Sequence, residues 1–174
     1  HNEMKKCWVG INTSLPNKLI RHAIEANCLE KQFGSIVSIK PEVVYGLEGK
    51  SRIDLLLNPG TSNKDPRKIY VEVKNTTWCA DSLALFPDTV TTRGQKHLRE
   101  LMGVYPNSRA VLIPCISRGD IDSFAPADSA DATYGNLFRE ALSNGLEVIP
   151  CAFAFFLDHI TWEGTKPFKN FQDE

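Results

Sequence analysis

The segment at residues 69–74 constrains the fold most strongly, because its side chains alternate strictly in character. Its odd-numbered residues are apolar, whereas Tyr70, Glu72 and Lys74 share the opposite face of an extended chain. Such alternation is typical of a β-strand with one buried face. The sequence therefore predicts a strand that carries a carboxylate and an ammonium group on the same side.

A second predicted strand, at residues 51–57, precedes this one and contains an acid. Strict alternation places its odd-numbered residues, all apolar from position 53 onward, on one face and Asp54 on the other. If the two strands pair, Asp54 comes to lie next to Glu72 and Lys74.

Further elements follow from the hydrophobic periodicity and from residues typical of helix and strand ends. Helices are predicted to begin near Ser14, Thr92 and Asp131. Strands are predicted at residues 7–11, 36–47, 110–115 and 146–156, and an acidic surface loop at 118–131. Consecutive strands favour an antiparallel meander, and the later strand–helix–strand units favour parallel pairing. We therefore expect an α/β fold with a mixed central β-sheet flanked by helices.

The composition excludes several classes of protein. With 42% hydrophobic and 24% charged residues in a chain of 174, the composition is globular. The 20 basic and 21 acidic residues exclude a histone-like basic chain but permit a local basic groove. No apolar run approaches the ~20 residues of a membrane span, and no membrane partner is expected. The five widely spaced cysteines indicate reduced, mostly buried thiols in an intracellular protein.

The two acids and the lysine predict a metal site. Carboxylates on an apolar sheet are costly unless they are compensated, and Mg²⁺ binds one or two carboxylates together with waters and phosphate oxygens. Asp54 and Glu72 would bind the cation, Lys74 would orient a water or stabilise charge on a phosphate, and Glu72 or Lys74 would assist proton removal. The corresponding reaction is phosphodiester hydrolysis. The alternative is a set of surface ion pairs on a half-exposed sheet.

The predicted helix near residue 92 begins with basic residues. Arg93, Lys96 and Arg99 follow one another without an intervening acid, and His97 lies among them. A helix start of this kind suits phosphate oxygens, although a solvated amphipathic helix is an alternative, with His97 packed inward or at the surface. Asn17, near the first helix start, is either a cap or turn residue or a substrate contact.

Short motifs spread over most of the chain resemble one known family. They are Asn12-Thr13, Pro16-Asn17, residues 42–46, 51–56 and 70–74, and the block FPDTVTTRGQKHLREL at residues 86–101. Together they resemble the sugar fermentation stimulation protein A (SfsA) family. The resemblance implies a restriction-endonuclease-like fold with a PD-(D/E)xK signature, in a nuclease-like domain associated with DNA binding.

The resemblance also implies how the chain is divided. Residues 1–164 are expected to form one nuclease-like domain, and residues 165–174 a polar tail. A small OB-like β-barrel usually precedes this domain in the family. That barrel is expected to be missing here, because the sequence starts at His1 rather than Met and is expected to be trimmed.

Carried over residue by residue, the resemblance makes Asp54, Glu72 and Lys74 the nuclease signature. Gln95 matches the helix residue that often assists catalysis in the superfamily, and Glu42 is a further acidic candidate for the metal. The proline that usually precedes the first acid of the signature is an isoleucine here.

Several functions are compatible with these features. The leading one is a Mg²⁺- or Mn²⁺-dependent nuclease that acts on DNA, with RNA as an alternative substrate. A non-catalytic DNA-binding regulator that keeps the nuclease fold is the second. A hydrolase for a small phosphorylated molecule is the third, and it would need a closed pocket. A monomer and a homodimer are both open.

Overall fold

The computed structural model describes residues 7–46 and 49–169. The helices are α1 (Leu15–Glu25), α2 (Glu30–Phe33), α3 (Thr92–Met102) and α4 (Ala132–Ser143). The strands are β1 (Ile36–Tyr45), β2 (Ser51–Pro59), β3 (Ile69–Thr76), β4 (Cys79–Ala80), β5 (Leu83–Phe86), β6 (Arg109–Ile116), β7 (Ser123–Pro126), β8 (Leu146–Val148), β9 (Cys151–Phe155) and β10 (Ile160–Thr165). The predictions of α1, α3, α4, β1, β2, β3 and β6 are confirmed, although the expected end of β1 at residue 47 lies outside the described residues.

The main sheet is mixed, as the order of elements predicts. Its strands lie in the order β1-β2-β3-β6-β9-β10, and β8 pairs with the first part of β6. Strands β1, β2 and β3 form the antiparallel meander, whereas β6 runs parallel to β3. Strands β4, β5 and β7 form a small second sheet.

Helices cover both faces of the main sheet. Helices α3 and α4 pack on one face through Leu98, Leu101, Tyr134 and Phe138. Helices α1 and α2 pack on the other face through Ile20, Ile24, Leu29 and Phe33. Within β3, Tyr70 packs with the first group and Val71 with the second. Glu72 and Lys74, which follow Tyr70 at intervals of two, therefore lie beneath α3.

Capping side chains set the starts of α3 and α4. Thr91 accepts a hydrogen bond from the backbone nitrogen of Gly94 (3.0 Å). Asp131 accepts one from the backbone nitrogen of Tyr134 (2.9 Å). Each cap satisfies a donor that the helix itself leaves free, and it thereby determines which side chains of the helix face the sheet.

The prediction of a strand at residues 7–11 is wrong. Trp8 forms only an isolated bridge with Phe155, and the backbone nitrogen of Gly10 donates to the carbonyl oxygen of Ser117 (2.9 Å). Because this segment contacts two different strand ends, it crosses the sheet instead of extending along one strand.

The predicted strand at residues 146–156 is two strands in the structure, β8 and β9. Both pair with β6. Strand β8 ends before Ile149 and Pro150, and β9 begins after them. Pro150 and Pro114 of β6 have no N–H to donate to a ladder. Two prolines at the same level of neighbouring strands therefore interrupt the pairing.

The prediction of an acidic surface loop at residues 118–131 is also wrong. Strand β7 lies within it, is buried along its length and pairs in parallel with β5. The acids at the two ends are engaged, because Asp120 accepts two hydrogen bonds from Arg118 (both 2.7 Å) and Asp131 caps α4. The central residues of this segment are mostly small or apolar, and they supply the buried strand.

The Arg118–Asp120 pair predicts a pH dependence of stability. Hydrogen bonds from Arg118 lower the pKa of Asp120 to about 2. Asp120 therefore stabilises the fold above its unfolded pKa of about 3.9 by about 2 kcal/mol, and this contribution is lost as the pH falls through 2. Chemical denaturation should show that Asp120→Asn has a lower free energy of unfolding than wild type at pH 7. The difference in free energy should become smaller towards pH 2. The exposed Asp122→Asn variant should follow wild type throughout, and an equal deficit of Asp120→Asn at both pH values would contradict the assignment.

The expected polar tail begins differently in the structure. The backbone nitrogen of Phe124 donates to the carbonyl oxygen of Pro167 (3.0 Å), and that of Lys169 donates to the carbonyl oxygen of Phe124 (2.8 Å). The Phe168 ring lies 5.4 Å from the Phe138 ring, measured between centroids. Residues 167–169 therefore lie along β7, because one aromatic side chain anchors them. Residues 1–6 of the expected domain and 170–174 of the expected tail lie outside the described part.

The five cysteines are free thiols, as expected, but the expectation that most of them are buried is wrong. Cys115 and Cys151 are buried, whereas Cys28 is exposed and the other two are intermediate. Within residues 7–46 and 49–169, no helix is long and apolar enough to cross a membrane.

Candidate active site

Strand β2 separates from β3 at Asp54. The two strands pair at positions 55–57 of β2. Next to this paired stretch the Asp54 carboxylate accepts a hydrogen bond from the backbone nitrogen of Val73 (2.8 Å). The side chain thus takes the place of a strand carbonyl. Ile53 packs on the same face as Leu56, so the strict alternation expected for this strand fails at the acid.

Helix α1 holds the other oxygen of this carboxylate. The side-chain amide of Asn17 donates to Asp54 Oδ1 at 2.8 Å. Asn17 directly follows Pro16 in the first turn of the helix. Asn17 therefore contacts a predicted catalytic acid. It does not cap the helix, which was the other interpretation of this residue.

Glu72 and Lys74 form a buried ion pair beneath α3. Lys74 Nζ donates to Glu72 Oε1 at 2.7 Å, and the two side chains are 13% and 3% exposed. Burial of this degree distinguishes the pair from the surface ion pairs that were the alternative interpretation. The other carboxylate oxygen, Glu72 Oε2, is buried and has no hydrogen-bond partner among the described residues.

His97 joins this pair from α3. Its Nδ1 atom contacts Glu72 Oε1 and lies 3.1 Å from Lys74 Nζ. His97 is buried, together with Gly94, Leu98 and Leu101 of the same helix. Packing inward was therefore the correct interpretation of His97, and the spacing of this apolar stripe was the signal that indicated it.

The two acids have different electrostatic environments. Burial raises the pKa of Glu72, but the hydrogen bond with His97 and the charge of Lys74 outweigh it, so that the pKa lies below its usual value. The pKa of Asp54 is raised, because burial and the negative charge of Glu72 outweigh the hydrogen bonds from Val73 and Asn17. A further positive charge beside Asp54 would therefore favour its ionised form.

The carboxylates of Asp54 and Glu72 fit a divalent cation. Glu72 Oε2 is an orphaned buried oxygen, and Mg²⁺ needs only one or two carboxylates because waters and phosphate oxygens complete its shell. The described residues contain no group of three or more His, Cys, Asp or Glu side chains placed to hold a metal ion. The predicted ligand Glu42 thus does not join Asp54 and Glu72 in such a group, and it lies exposed on the edge strand β1.

Gln95 lies apart from the cluster. Its side-chain amide donates to both carboxylate oxygens of Asp131, at 3.2 and 3.0 Å. Two residues along a helix differ by about 200°, so Gln95 and His97 face different neighbours. In this structure Gln95 connects α3 to the cap of α4, and its role in catalysis stays a prediction.

The basic residues of α3 lie on its outer side. Arg93, Lys96 and Arg99 are exposed and spaced three apart, which places them along one face of the helix. Lys96 Nζ is 3.7 Å from a carboxylate oxygen of Glu100. The same helix therefore presents His97 to the sheet and three cations to solvent.

Removing the cap of α4 should destabilise the domain. Asp131 accepts hydrogen bonds from the backbone nitrogens of Thr91 and Tyr134 as well as from Gln95. We expect Asp131→Ala to lower the free energy of unfolding by about 2–3 kcal/mol, since it removes a cap and leaves a part-buried donor unpaired. Asp128→Ala, which removes an exposed partner of Arg139, should cost less than about 1 kcal/mol. Equal losses in urea denaturation would contradict this role of Asp131.

Comparisons with known proteins agree with the resemblance described above. Residues 14–158 match the sugar fermentation stimulation protein RE domain. The chain is 79% identical over 169 residues to the sugar fermentation stimulation protein homolog of Prochlorococcus marinus strain NATL2A, covering 97% of this chain and 66% of the relative. It is 66% identical over 161 residues to the homolog of Synechococcus sp. strain WH7803, covering 92% and 63%. The chain thus spans about two-thirds of the length of these curated relatives.

A solved structure is similar over nearly the whole chain. The Pyrococcus furiosus SfsA structure, determined in complex with Ca²⁺, superposes with a TM-score of 0.85 at 25% identity. The match covers 97% of this chain and 70% of the other. The mixed α/β fold and the nuclease-like architecture agree with this neighbour. On these grounds the chain belongs to the SfsA family.

Proposed function

We propose that this domain hydrolyses phosphodiester bonds of DNA with the help of Mg²⁺ or Mn²⁺. The observation that carries the proposal is the buried cluster of Asp54, Glu72 and Lys74, in which one carboxylate oxygen has no partner. A purely structural ion pair gains nothing from an unpaired buried oxygen, because such a group retains its desolvation cost. A bound cation would remove that cost.

The chain's own residues supply the remaining requirements of hydrolysis. Asn17 and the backbone nitrogen of Val73 hold Asp54 in place, and Asp54 and Glu72 would hold the cation. When bound, the cation lowers the pKa of a coordinated water and polarises a phosphoryl oxygen. Lys74 keeps its ammonium group at the site, where it stabilises negative charge that develops on the phosphate. Glu72 would accept the proton of the attacking water, because Lys74 in its ammonium form has no lone pair to accept it.

The solved relative supports a divalent cation. Pyrococcus furiosus SfsA was determined in complex with Ca²⁺. Ca²⁺ and Mg²⁺ share a preference for oxygen ligands, which are what Asp54 and Glu72 offer. Ca²⁺ differs from Mg²⁺ in coordination number, so the relative supports metal binding here without identifying the ion.

The outer face of α3 supports a polyanionic substrate. Arg93, Lys96 and Arg99 are exposed on the helix whose inner face carries His97. Cations on such a face bind phosphates and release counterions. A backbone bound there would lie on the helix that covers Glu72.

Neutralising this face should change the salt dependence of binding. We expect the combined variant Arg93→Gln, Lys96→Gln, Arg99→Gln to lower the slope of log K against log salt for duplex DNA by about 2–3, since each phosphate contact contributes about 0.9. Fluorescence anisotropy in EDTA measures this slope. The combined variant Lys31→Gln, Lys64→Gln, Lys68→Gln removes three exposed cations near the opposite end of β3 and should leave it unchanged. Equal slopes in both variants would contradict the assignment.

A non-catalytic DNA-binding role is the second candidate. The observation that favours it is that the exposed cations are separate from the buried acids, so that binding does not require the cluster. It predicts unchanged affinity in Lys74→Ala and no cleavage by the wild type.

A cleavage panel tests the proposal. Duplex, single-stranded and branched DNA, and RNA, are incubated with wild type or Lys74→Ala in Mg²⁺, Mn²⁺ or EDTA. We expect DNA to be cleaved by wild type only when a cation is present. Cleavage of RNA alone would transfer the activity to that substrate, and an uncut panel with intact binding would favour the regulator.

A further inference from the structure

We propose that His97 is a positioning residue, which holds the carboxylate of Glu72 so that its second oxygen can bind a divalent cation. The inference rests on the proposed function, because it concerns the same acid. In the alternative role His97 would contact a phosphate of the substrate. Here its ring contacts a side chain of the protein itself, Glu72.

The burial of His97 supports a role inside the fold. The residue is 7% exposed, whereas Arg93, Lys96 and Arg99 on the same helix are exposed. A group that binds the backbone of a polyanion has to be accessible to it. The imidazole is covered by its own helix and instead reaches β3.

The contacts of the ring determine what it can hold. Nδ1 of His97 contacts Glu72 Oε1, the same oxygen that Lys74 Nζ binds at 2.7 Å. Both contacts are made at one oxygen, and Glu72 Oε2 is left buried without a partner in the described part of the chain. The carboxylate is thus fixed by one oxygen, and the other remains available as a ligand.

The two partners of Glu72 differ in rigidity. Lys74 carries its ammonium group on a flexible four-carbon stem. The imidazole is a planar ring with two side-chain torsions, on a helix whose start is capped by Thr91. A rigid partner behind a ligand orients it better than a flexible one, and loss of such partners typically lowers metal affinity 10–100-fold.

Metal affinity can be measured without DNA or turnover. Titration of Mn²⁺ followed by electron paramagnetic resonance gives the Kd of wild type, His97→Leu and His97→Asn. His97→Leu fills the space without a polar contact, whereas the amide of His97→Asn can donate from near the Nδ1 position. We expect the Leu variant to weaken Mn²⁺ binding about 10–100-fold and the Asn variant to stay within about threefold of wild type. His22→Leu, on the exposed side of α1, is the matched control and should match wild type.

Three results would overturn the inference. The first is equal Mn²⁺ affinity of wild type and folded His97→Leu, and the second is an equal loss in both folded variants at position 97. The third is weaker DNA binding in EDTA by the Leu variant with unchanged Mn²⁺ affinity, which would make His97 a phosphate contact. Circular dichroism checks folding, and His97→Met replaces the Leu variant if that one does not fold. A wild type that binds no Mn²⁺ would remove the proposed function as well, so the two failures are distinguishable.

Discussion

Replacing Lys74 with alanine is expected to lower the single-turnover rate of DNA cleavage by about 10²–10³-fold. The ammonium group lies at the acid cluster, 2.7 Å from Glu72 Oε1, where it would stabilise charge that forms only in the transition state. Removal of one such donor has a cost of this size in other enzymes. Because Lys74 is 13% exposed, it contributes little to the outer surface, and we expect the affinity for DNA in EDTA to change less than threefold.

The controls separate chemistry from folding. Removing one partner of a buried ion pair can destabilise a protein by several kcal/mol, so circular dichroism has to show a folded Lys74→Ala. Lys74→Met, which retains the length of the side chain, is tested if it does not. Lys68→Ala removes an exposed lysine just before the same strand and should cleave like wild type. Cleavage by folded Lys74→Ala at the wild-type rate would exclude Lys74 from catalysis.

Replacing Asp54 with asparagine is expected to abolish cleavage without weakening the fold. The pKa of Asp54 is raised by burial and by the charge of Glu72. A raised folded-state pKa means that the ionised acid destabilises the fold at neutral pH, and that stability is gained as the pH falls towards the unfolded pKa. Asn removes the charge and can still accept the hydrogen bond from Val73, while the Asn17 amide can turn to pair with it.

The same variant should lose stabilisation by metal. A ligand at 100 times its Kd adds about 2.7 kcal/mol to the free energy of unfolding of a protein with one site. We expect Mn²⁺ to raise the Tm of wild type and to have little effect on Asp54→Asn, although in EDTA the variant is at least as stable as wild type. Asp158→Asn changes an exposed acid and should respond to Mn²⁺ as wild type does. Differential scanning fluorimetry measures all three proteins, and equal Tm shifts would place the metal elsewhere.

Most of the main sheet could be predicted from the sequence, because its strands bury one or both faces. Alternation in β3 and apolar runs in β6 report that burial directly. The short strands β4, β5 and β7 could not be predicted, since their pairing depends on each other and on the position of residues 167–169. Ala125 and Pro126 of β7 have weak strand propensity of their own.

The proximity of Glu72 and Lys74 could be predicted from the sequence, but the contacts of the helical residues could not. The two-residue period of a β-strand places Glu72 and Lys74 on the same face, and both residues lie in the single strand β3. The choice between Gln95 and His97 depends on the rotation of α3 about its axis, which Thr91 and Asp131 set through their hydrogen bonds. The contact of Asn17 with Asp54 depends on where α1 packs, a property of the whole fold.

The proposed hydrolysis requires that the carboxylates of Asp54 and Glu72 together hold a divalent cation. A crystal of the wild-type protein soaked in Mn²⁺, with data collected near the manganese absorption edge, tests it directly. We predict an anomalous difference peak between the two carboxylates, and its loss in Asp54→Asn. A peak elsewhere on the protein, or the same peak retained in Asp54→Asn, would contradict metal binding by these two carboxylates.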